Sequence, residues 1–597
     1  MELTGAEHED VIAWFEYVSE NASRVQSETL RRILELNSGA EYLRKWLGTA
    51  NVQEMDASAL ENLYTSSVPI ASYADLEPYI QRISDGETSP ILTQEPITVL
   101  SLSSGTTEGR KKYVPFTRHS SQTTLQIFRL SAAYRSRVYP IREGGRILEF
   151  IYASKEFKTR SGLKVGTATT HYYASKEFKT KQETTKSFTC SPREVILGGD
   201  FRQCTYCHLL LGLYFSGQVE FIASAFAYTI VQAFAFFEEI WRDICDDIKE
   251  GGLSSRITLP RMRNTVLNLI RPNPSLASRI EAICLELQQN LGWSDLIPKL
   301  WPNAKYVSSI MTGSMLPYLK KLRHYAGSLP LVSADYGSTE SWIGVNVDPH
   351  LPPEDVSFTV IPTFCYFEFI PLYRQKKQDN CSNGVSSNAN DDFVEDKPVP
   401  LSQVKLGEEY EVVITTFTGL YRYRLGDVVE VTGFHKGTPK LSFIYRRKLI
   451  LTINIDKITE KDLQRVVDKA SQLLSRKTQA ELVDFTSHAD VSDHPGHYVI
   501  YWEIRGEAEE KVLEECCREM DKGFVDHGYV VSRRMNGIGP LELRVVERGT
   551  FGKIAERCAG KGGGLNQFKT PRCTTNTVIL KILDDCTVQR LRSTSYD

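Results

Sequence analysis

Residues 103–112 read Ser-Ser-Gly-Thr-Thr-Glu-Gly-Arg-Lys-Lys, directly behind the apolar, strand-like run Ile97-Thr98-Val99-Leu100. This stretch constrains the fold most, because an extended run must give way there to a glycine-loosened turn full of donors. Gly105 and Gly109 free the backbone to curl round an anion. The hydroxyls of Ser103, Ser104, Thr106 and Thr107, with neighbouring N–H groups, can donate to that anion. Arg110, Lys111 and Lys112 close the segment and can offset phosphate charge. A polyphosphate nucleotide fits such chemistry. The spelling is not that of a Walker A loop, since no G-x-x-x-x-G-K-[ST] occurs. Taken alone, a Ser/Thr/Gly run also describes an ordinary surface turn.

Two further segments narrow the choice. Residues 335–340 read Asp-Tyr-Gly-Ser-Thr-Glu, behind the mostly apolar Leu329 to Ala334 and before Ser341-Trp342-Ile343-Gly344. Residues 423–427 read Tyr-Arg-Leu-Gly-Asp, between Val412-Val413-Ile414 and Val428-Val429. A hydroxyl-rich loop, an aromatic–Gly–Ser/Thr–Glu turn and a Y-R-x-G-D turn, in that order, resemble the acid–thiol ligases and adenylate-forming enzymes that include firefly luciferase. Within that superfamily the wording is most similar to the plant acyl-acid amido synthetases, the Gretchen Hagen family, which conjugates hormones to amino acids. The resemblance runs from Leu30 to Ile33 through to Gly564-Leu565-Asn566-Gln567-Phe568-Lys569-Thr570-Pro571-Arg572. Ala334-Asp335-Tyr336-Gly337 and Trp342 resemble the jasmonate-conjugating branch. Ser341 departs from relatives that often carry glycine there, and its hydroxymethyl is expected to narrow the acyl pocket or shift its preference.

At 597 residues the chain exceeds one comfortable core. Hydrophobic content of 41% and charged content of 24% are those of a globular protein. The formal net charge of −3 argues against a nucleic-acid binder. No stretch of about 20 apolar residues exists to span a bilayer. The start, Met1 to Asp10, is acidic and lacks a basic, apolar signal, so the expectation is a cytosolic, monomeric protein. Twelve cysteines in so long a chain do not imply a disulfide framework. Cys204-Thr205-Tyr206-Cys207-His208 spells C-x-x-C-H, as at a haem attachment or half a zinc site. No second ligand pair stands nearby and Leu209 to Phe215 continues as an apolar element, so these are expected to be core residues.

Apolar spacing near 3.6 over residues 8–48 predicts opening helices, and Thr123 to Tyr134 reads as another. That helix follows the hydroxyl-rich loop, so its N-terminus is expected to direct its dipole at bound phosphate. The octapeptide Tyr-Ala-Ser-Lys-Glu-Phe-Lys-Thr occurs at 152–159 and 173–180, and the copies could flank a hairpin with Gly162 to Gly166 near its turn. Residues 219–248 read as an aromatic-rich core helix with one edge on an apolar pocket. Gln375 to Pro400 is polar and reads as a mobile insertion between strands. After Tyr445, Arg446-Arg447-Lys448 interrupts two strand-like runs. Helical Asp462 to Leu474 and Ala508 to Met520 then alternate with strand-like His497 to Ile504 and Leu541 to Val546.

The fold class that follows is α/β. The resemblance implies the adenylate-forming fold: a large, multi-layer N-terminal domain over 1–445 with helix-covered sheets and a flexible insertion at 374–400. A hinge at 446–460 and a small α+β C-terminal lid over 461–597 complete it, with the ligand site at the junction. By the same resemblance, Ser103, Ser104, Thr106 and Thr107 would hold phosphates. Tyr336, Gly337, Ser338 and Thr339 would wall the adenine and α-phosphate, with Gly337 admitting the nucleotide closely. Glu340 would bind Mg2+, since hard cations favour carboxylate oxygen. Asp427 would accept from the ribose hydroxyls, and Arg424 would support Asp427 or meet phosphate. Lys457 near the hinge and Lys569 in the glycine-led loop are the catalytic candidates, Lys569 stabilising charge as the adenylate forms. Leu125, Phe128, Phe226, Tyr228 and Trp342 are the acyl-pocket candidates. The implied reaction is ATP- and Mg2+-dependent joining of a hormone carboxylate, jasmonate first, to an amino acid, isoleucine first. Indole-3-acetate amidation, acyl-CoA synthesis and non-catalytic binding are the alternatives.

Overall fold

The structure is a computed structural model that describes residues 5–48, 50–107, 110–153, 156–174, 188–374, 393–446, 449–451, 453, 456, 458–492, 495–534, 537–559 and 570–596. Among them the strands form five sheets. In one, Arg146–Phe150, Val219–Phe226, Val307–Ile310 and Leu331–Val332 run parallel in that order. Parallel neighbours need crossovers, and the helices Phe201–Tyr214 and Ala227–Glu250 lie in the first two of them. The 24-residue helix Ala227–Glu250 buries Ile230, Phe234, Phe237, Trp241, Ile244 and Ile248, three or four residues apart, and stops where Gly251 turns left-handed at φ +65°.

Residues 219–248 are therefore not one helix. Val219–Phe226 is a strand, and the helix begins at Ala227. A short apolar run buried on both faces of a parallel sheet has no period that separates it from a buried helix.

The largest sheet orders Phe393–Glu395, Cys365–Arg374, Glu409–Thr416, Tyr423–His435, Thr438–Arg446, Phe358–Val360, Trp342–Val345 and Asp335–Gly337, with Val399–Pro400 paired beside Cys365–Arg374. The predicted insertion at 374–400 is thus too wide: Phe393–Glu395 and Val399–Pro400 belong to the sheet, while 375–392 lie outside the described residues. A third sheet joins Val99–Thr107 to Arg110–Phe116 as a hairpin. The helix Arg118–Val138 follows that return strand, not the hairpin tip, so seven strand residues separate its N-terminus from the tip by on the order of 20 Å. Its dipole does not serve the tip. The first octapeptide copy does enter a hairpin, in which Phe157–Lys158 pairs with Lys164–Gly166. The partner strand comes immediately after the turn and is not the second copy, of which 175–180 lie outside the described residues.

The C-terminal sheet orders Glu481–Asp490, His497–Arg505, Glu542–Val546 and Thr587–Arg592. The helices Glu460–Lys477 and Glu510–Gly523 cover one face through Leu463, Val466, Leu513 and Met520, packed with Ile500 and Trp502. Phe551, Ile554, Ile579 and Leu583 cover the other. The first and last of these strands escaped the sequence reading.

Cys204, Cys207 and His208 are fully buried in the helix Phe201–Tyr214. His208 uses both ring nitrogens, Nδ1 with Ser191 Oγ at 2.6 Å and Nε2 with the Ile151 carbonyl at 2.9 Å. Burial pushes the Cys204 thiol up to about 12, far from thiolate chemistry. The cysteines described are free thiols. No described helix is long and apolar enough to cross a membrane.

One buried arginine ties the N-terminal helices to the largest sheet. Arg422 adopts φ +44° and is 6% exposed. Its Nε and Nη2 donate to the two oxygens of Glu368 at 2.9 and 2.7 Å. Its Nη1 donates to the carbonyls of Thr65 (2.5 Å) and Val68 (2.8 Å), at the C-terminal end of the helix Ala57–Ser67. A cation there also meets the negative end of the helix dipole. Arg422→Ala strands the Glu368 carboxylate without its ion-pair partner, and we expect a loss of about 3–5 kcal/mol in denaturant unfolding; a loss below about 1 kcal/mol would contradict this anchoring.

Candidate active site

The carboxyl ends of parallel strands are the usual place for ligands in an open α/β sheet. Here Val219–Phe226 leads into Tyr228, Val307–Ile310 into the turn Gly313–Tyr318, and Leu331–Val332 into Asp335–Gly337. Tyr228 and Asp335–Gly337 therefore stand along one edge of that sheet.

At that edge the first turn folds on itself. Asp335–Gly337 pairs antiparallel with Trp342–Val345, with Gly337 opposite Trp342. The Ser338 N–H donates to the Ser341 carbonyl at 2.8 Å, and the Ser341 N–H donates to Ser338 Oγ at 3.2 Å. A Cβ at position 337 would stand 2.5 Å from Cε3 of Trp342. Glycine at 337 thus makes room for the indole. Ser341 also differs from expectation. Its Oγ donates to the Trp342 carbonyl at 3.0 Å and lies 3.6 Å from the buried Cys365 Sγ, so its hydroxyl is taken up by the core.

The second turn is held to the first by two buried contacts, Tyr336 to Asp427 and Tyr423 to Glu340. The Tyr336 hydroxyl donates to Asp427 Oδ2 at 2.8 Å. Asp427 lies opposite Arg446 in the antiparallel pair, and Arg446 Nε meets its Oδ1 at 3.1 Å. Gly426 turns at φ +82°, and a Cβ there would meet nothing within 4 Å among the described residues. Burial, and then the Asp427 carboxylate, drive the Tyr336 hydroxyl well above its ordinary pKa, keeping it a donor. Asp427 holds Arg446 firmly protonated, with Glu340 as a second acidic neighbour. Glu340, 9% exposed, accepts from the Tyr423 hydroxyl at 3.4 Å.

Arg424 does not support Asp427. It grips Glu411 through Nε (2.9 Å) and Nη2, and reaches Glu395 at 2.8 Å. Its guanidinium is therefore committed to those two carboxylates. Arg446, across the sheet, has that place.

The hairpin approaches the same cluster. The Tyr113 N–H, on its return strand, donates to the Tyr73 hydroxyl at 2.8 Å. Burial raises the Tyr73 phenol to about 12, and Glu340 is among the charges that add to this. Tyr73 thus ties the hairpin's return strand to the start of the helix Tyr73–Asp85, a role with no motif to announce it. The side chains of Ser103, Ser104, Thr106 and Thr107 lie outside the described residues, as do Lys457 and Lys569. No group of three or more potential metal ligands occurs among the described residues. A cation at Glu340 would need phosphate and water oxygens to complete its shell.

The apolar candidates form two groups. The Trp342 indole N–H donates to Thr124 Oγ1 at 3.1 Å, and Phe128 stands edge-on to the indole with centroids 5.6 Å apart. Tyr172 meets Phe128 edge-on at 5.0 Å. Leu125 lies three residues before Phe128 on the same helix. In the second group Phe226 ends its strand, and Tyr228 packs edge-on against Tyr318 at 5.0 Å. Thr124, Tyr172 and Tyr318 were not singled out from the sequence.

Three family models match this chain: the GH3 family N-terminal domain over residues 11–331, the central domain over 358–446 and the C-terminal domain over 461–578. The chain belongs to the GH3 family. It is 82% identical to the indole-3-acetic acid-amido synthetase GH3.10 of Arabidopsis thaliana over 100% of both chains. It is 51% identical to the jasmonoyl–L-amino acid synthetase JAR4 of Nicotiana attenuata, covering 98% of each. Among solved structures, the GH3.15 acyl acid amido synthetase superposes with a TM-score of 0.86 at 35% identity, over 99% of this chain and 98% of that one. The GH3 fold of a large N-terminal body and a smaller C-terminal domain is therefore the fold of this chain.

Asp427 accepts the shorter of the two hydrogen bonds that join the turns. Asp427→Ala is expected to weaken ATP binding by about 1.5–3 kcal/mol, the usual loss for a charged hydrogen bond. Isothermal titration with a non-hydrolysable ATP analogue measures this, and an unchanged affinity would contradict the ribose assignment.

Proposed function

We propose that this GH3 protein is an ATP- and magnesium-dependent acyl-acid amido synthetase that joins a hormone carboxylate to the α-amine of an amino acid. The observation that carries this reading is the buried Tyr336–Asp427–Arg446 junction beside Glu340, with an aromatic group around Trp342 on the adjoining edge. A carboxylate is a poor electrophile, because its delocalised charge repels an incoming amine. Adenylation removes that charge. A carboxylate oxygen attacks the α-phosphorus of ATP and pyrophosphate departs; the amine then attacks the acyl carbon and AMP departs with that oxygen. Catalysis of such transfers rests on positioning and charge stabilisation.

In this reading the chain's own residues divide the work. Asp427, held in place by Tyr336 and Arg446, accepts from the ribose hydroxyls. Tyr336 to Thr339 wall the adenine and α-phosphate. Glu340 holds Mg2+, which shields phosphate charge when bound. Ser103, Ser104, Thr106 and Thr107 donate to the phosphates. Lys569 stabilises charge on the transferring group, and Lys457 reaches the nucleotide in one orientation of the C-terminal domain. Trp342, Phe128 and Leu125, with Phe226 and Tyr228, enclose the acid. The enzyme works as a cytosolic monomer.

Jasmonate with isoleucine is the preferred pair. Jasmonoyl–amino acid synthetases at 51% identity support it, whereas an auxin-named relative, GH3.17 of Arabidopsis thaliana, stands at 38%. A second reading, conjugation of indole-3-acetate, is favoured by the name of the relative at 82% identity. One methylene or hydroxyl in an apolar pocket changes preference by only about 1–3 kcal/mol. A panel of hormone acids against the twenty amino acids, read by product mass, decides between them. Jasmonoyl-isoleucine as the product of highest kcat/KM is the expected result; a higher value for indole-3-acetyl conjugates favours the second reading, and no amide from any pair refutes the activity. In the same assay Lys569→Ala should slow acid-dependent pyrophosphate exchange by about 100-fold or more without lowering the melting temperature. An unaltered exchange rate removes its role.

A further inference from the structure

The turn Gly313–Tyr318 connects three parts of the molecule. Gly313 turns at φ +60°, and a Cβ there would stand 2.8 Å from the Phe443 ring, which itself packs edge-on to Tyr336 at 6.1 Å. At its other end, Tyr318 packs on the acyl-pocket candidate Tyr228. Its hydroxyl then crosses to the C-terminal domain, donating to Asp484 Oδ2 at 3.0 Å, with Tyr318 7% and Asp484 5% exposed.

Asp484 is balanced inside its own domain. Thr570 Oγ1 donates to its Oδ2 at 2.6 Å and Arg572 Nη1 to its Oδ1 at 2.6 Å. Arg572 Nη1 also donates to the Phe485 carbonyl at 2.7 Å, and its guanidinium stacks over the Phe485 ring. The carboxylate's charge therefore stays paired whichever way the C-terminal domain turns. The Tyr318 hydroxyl is the member that belongs to the other body. The neighbouring pair Lys320–Glu481 is exposed at 3.4 Å and contributes little.

We propose that Tyr318 is a positioning residue that ties the wall of the acyl pocket to the C-terminal domain through Asp484, holding that domain in its adenylating orientation. The assignment of the orientation rests on the amido synthetase reading, because Thr570 follows Lys569 directly in the chain. Releasing one hydrogen bond frees the domain to turn for amide formation while leaving Asp484 neutralised by Arg572. Tyr228 stacks on the same ring, so the acid bound against Tyr228 and the docking of the C-terminal domain favour one another.

The test uses the full-length protein and Tyr318→Phe, which removes only the hydroxyl. Spin labels carried by unnatural amino acids at the exposed positions Leu406 and Val525 report the distance between the two bodies. Losing a hydrogen bond to a charged group should lower the docked-to-released ratio about tenfold. An identical distance distribution in the variant overturns the proposal, whatever the activity. In parallel, acid-dependent pyrophosphate exchange should fall about tenfold, while transfer from a purified acyl-adenylate to the amine keeps its rate. Equal slowing of both half-reactions with a lower melting temperature shows a merely structural tyrosine and also overturns it. A wild-type protein without exchange sinks the amido synthetase reading instead, and the distance measurement still decides the latch.

Discussion

The bond from the Tyr336 hydroxyl to the Asp427 carboxylate joins turns 91 residues apart, and the site depends on it. Neither group is stable alone in its surroundings. A buried carboxylate needs paired donors, and a buried phenol needs an acceptor. Each answers the other, and Arg446 supplies the balancing charge from the next strand. Because the three groups sit on neighbouring strands of one sheet or at its edge, the sheet's register fixes their spacing. A shift of one residue would turn Asp427 away from Arg446 and dissolve the cluster.

The surrounding structure defends that register. Arg422, one residue before the Tyr-Arg-Leu-Gly-Asp turn, is bound to Glu368 and to the end of the helix Ala57–Ser67, so the strand enters the site at a fixed height. The Ala71 N–H donates to the Arg422 carbonyl and the Arg424 N–H donates to the Ala71 carbonyl, at 2.9 and 2.8 Å, closing the same passage on its other side. Tyr73, two residues beyond Ala71, accepts from the N–H of the hairpin's Tyr113 at 2.8 Å. Structural arginines and tyrosines thus surround the carboxylates of Asp427 and Glu340.

Much of this was legible in the chain. The three turns, the helical opening, the buried cysteines and the alternation in the C-terminal part all follow from glycine placement, apolar period and turn chemistry. What was not legible has physical causes. Val219–Phe226 looked helical because a strand buried on both faces shows no alternation. The helix after the hairpin seemed to cap the phosphate loop because Tyr113-Val114-Pro115-Phe116 was not recognised as a return strand. Arg424 is expected beside Asp427 from its nearness in sequence, whereas Arg446 lies opposite Asp427 on the next strand and Arg424 is held by Glu411. Gly337 looked like room for a ligand, and only the coordinates reveal the Trp342 ring against it. Tyr73, Thr124 and Tyr318 act through contacts between distant elements, which no local pattern encodes.

The central claim is that the acid leaves its carboxylate oxygen on phosphorus before the amine arrives. The most direct test supplies the hormone acid with both carboxylate oxygens labelled as oxygen-18 and analyses the nucleotide product by mass. One labelled oxygen in AMP, with unlabelled pyrophosphate, is the predicted outcome. Label in inorganic phosphate alongside ADP, or amide formed with unlabelled AMP, would contradict adenylation and with it the nucleotide role given to the Tyr336–Asp427 junction.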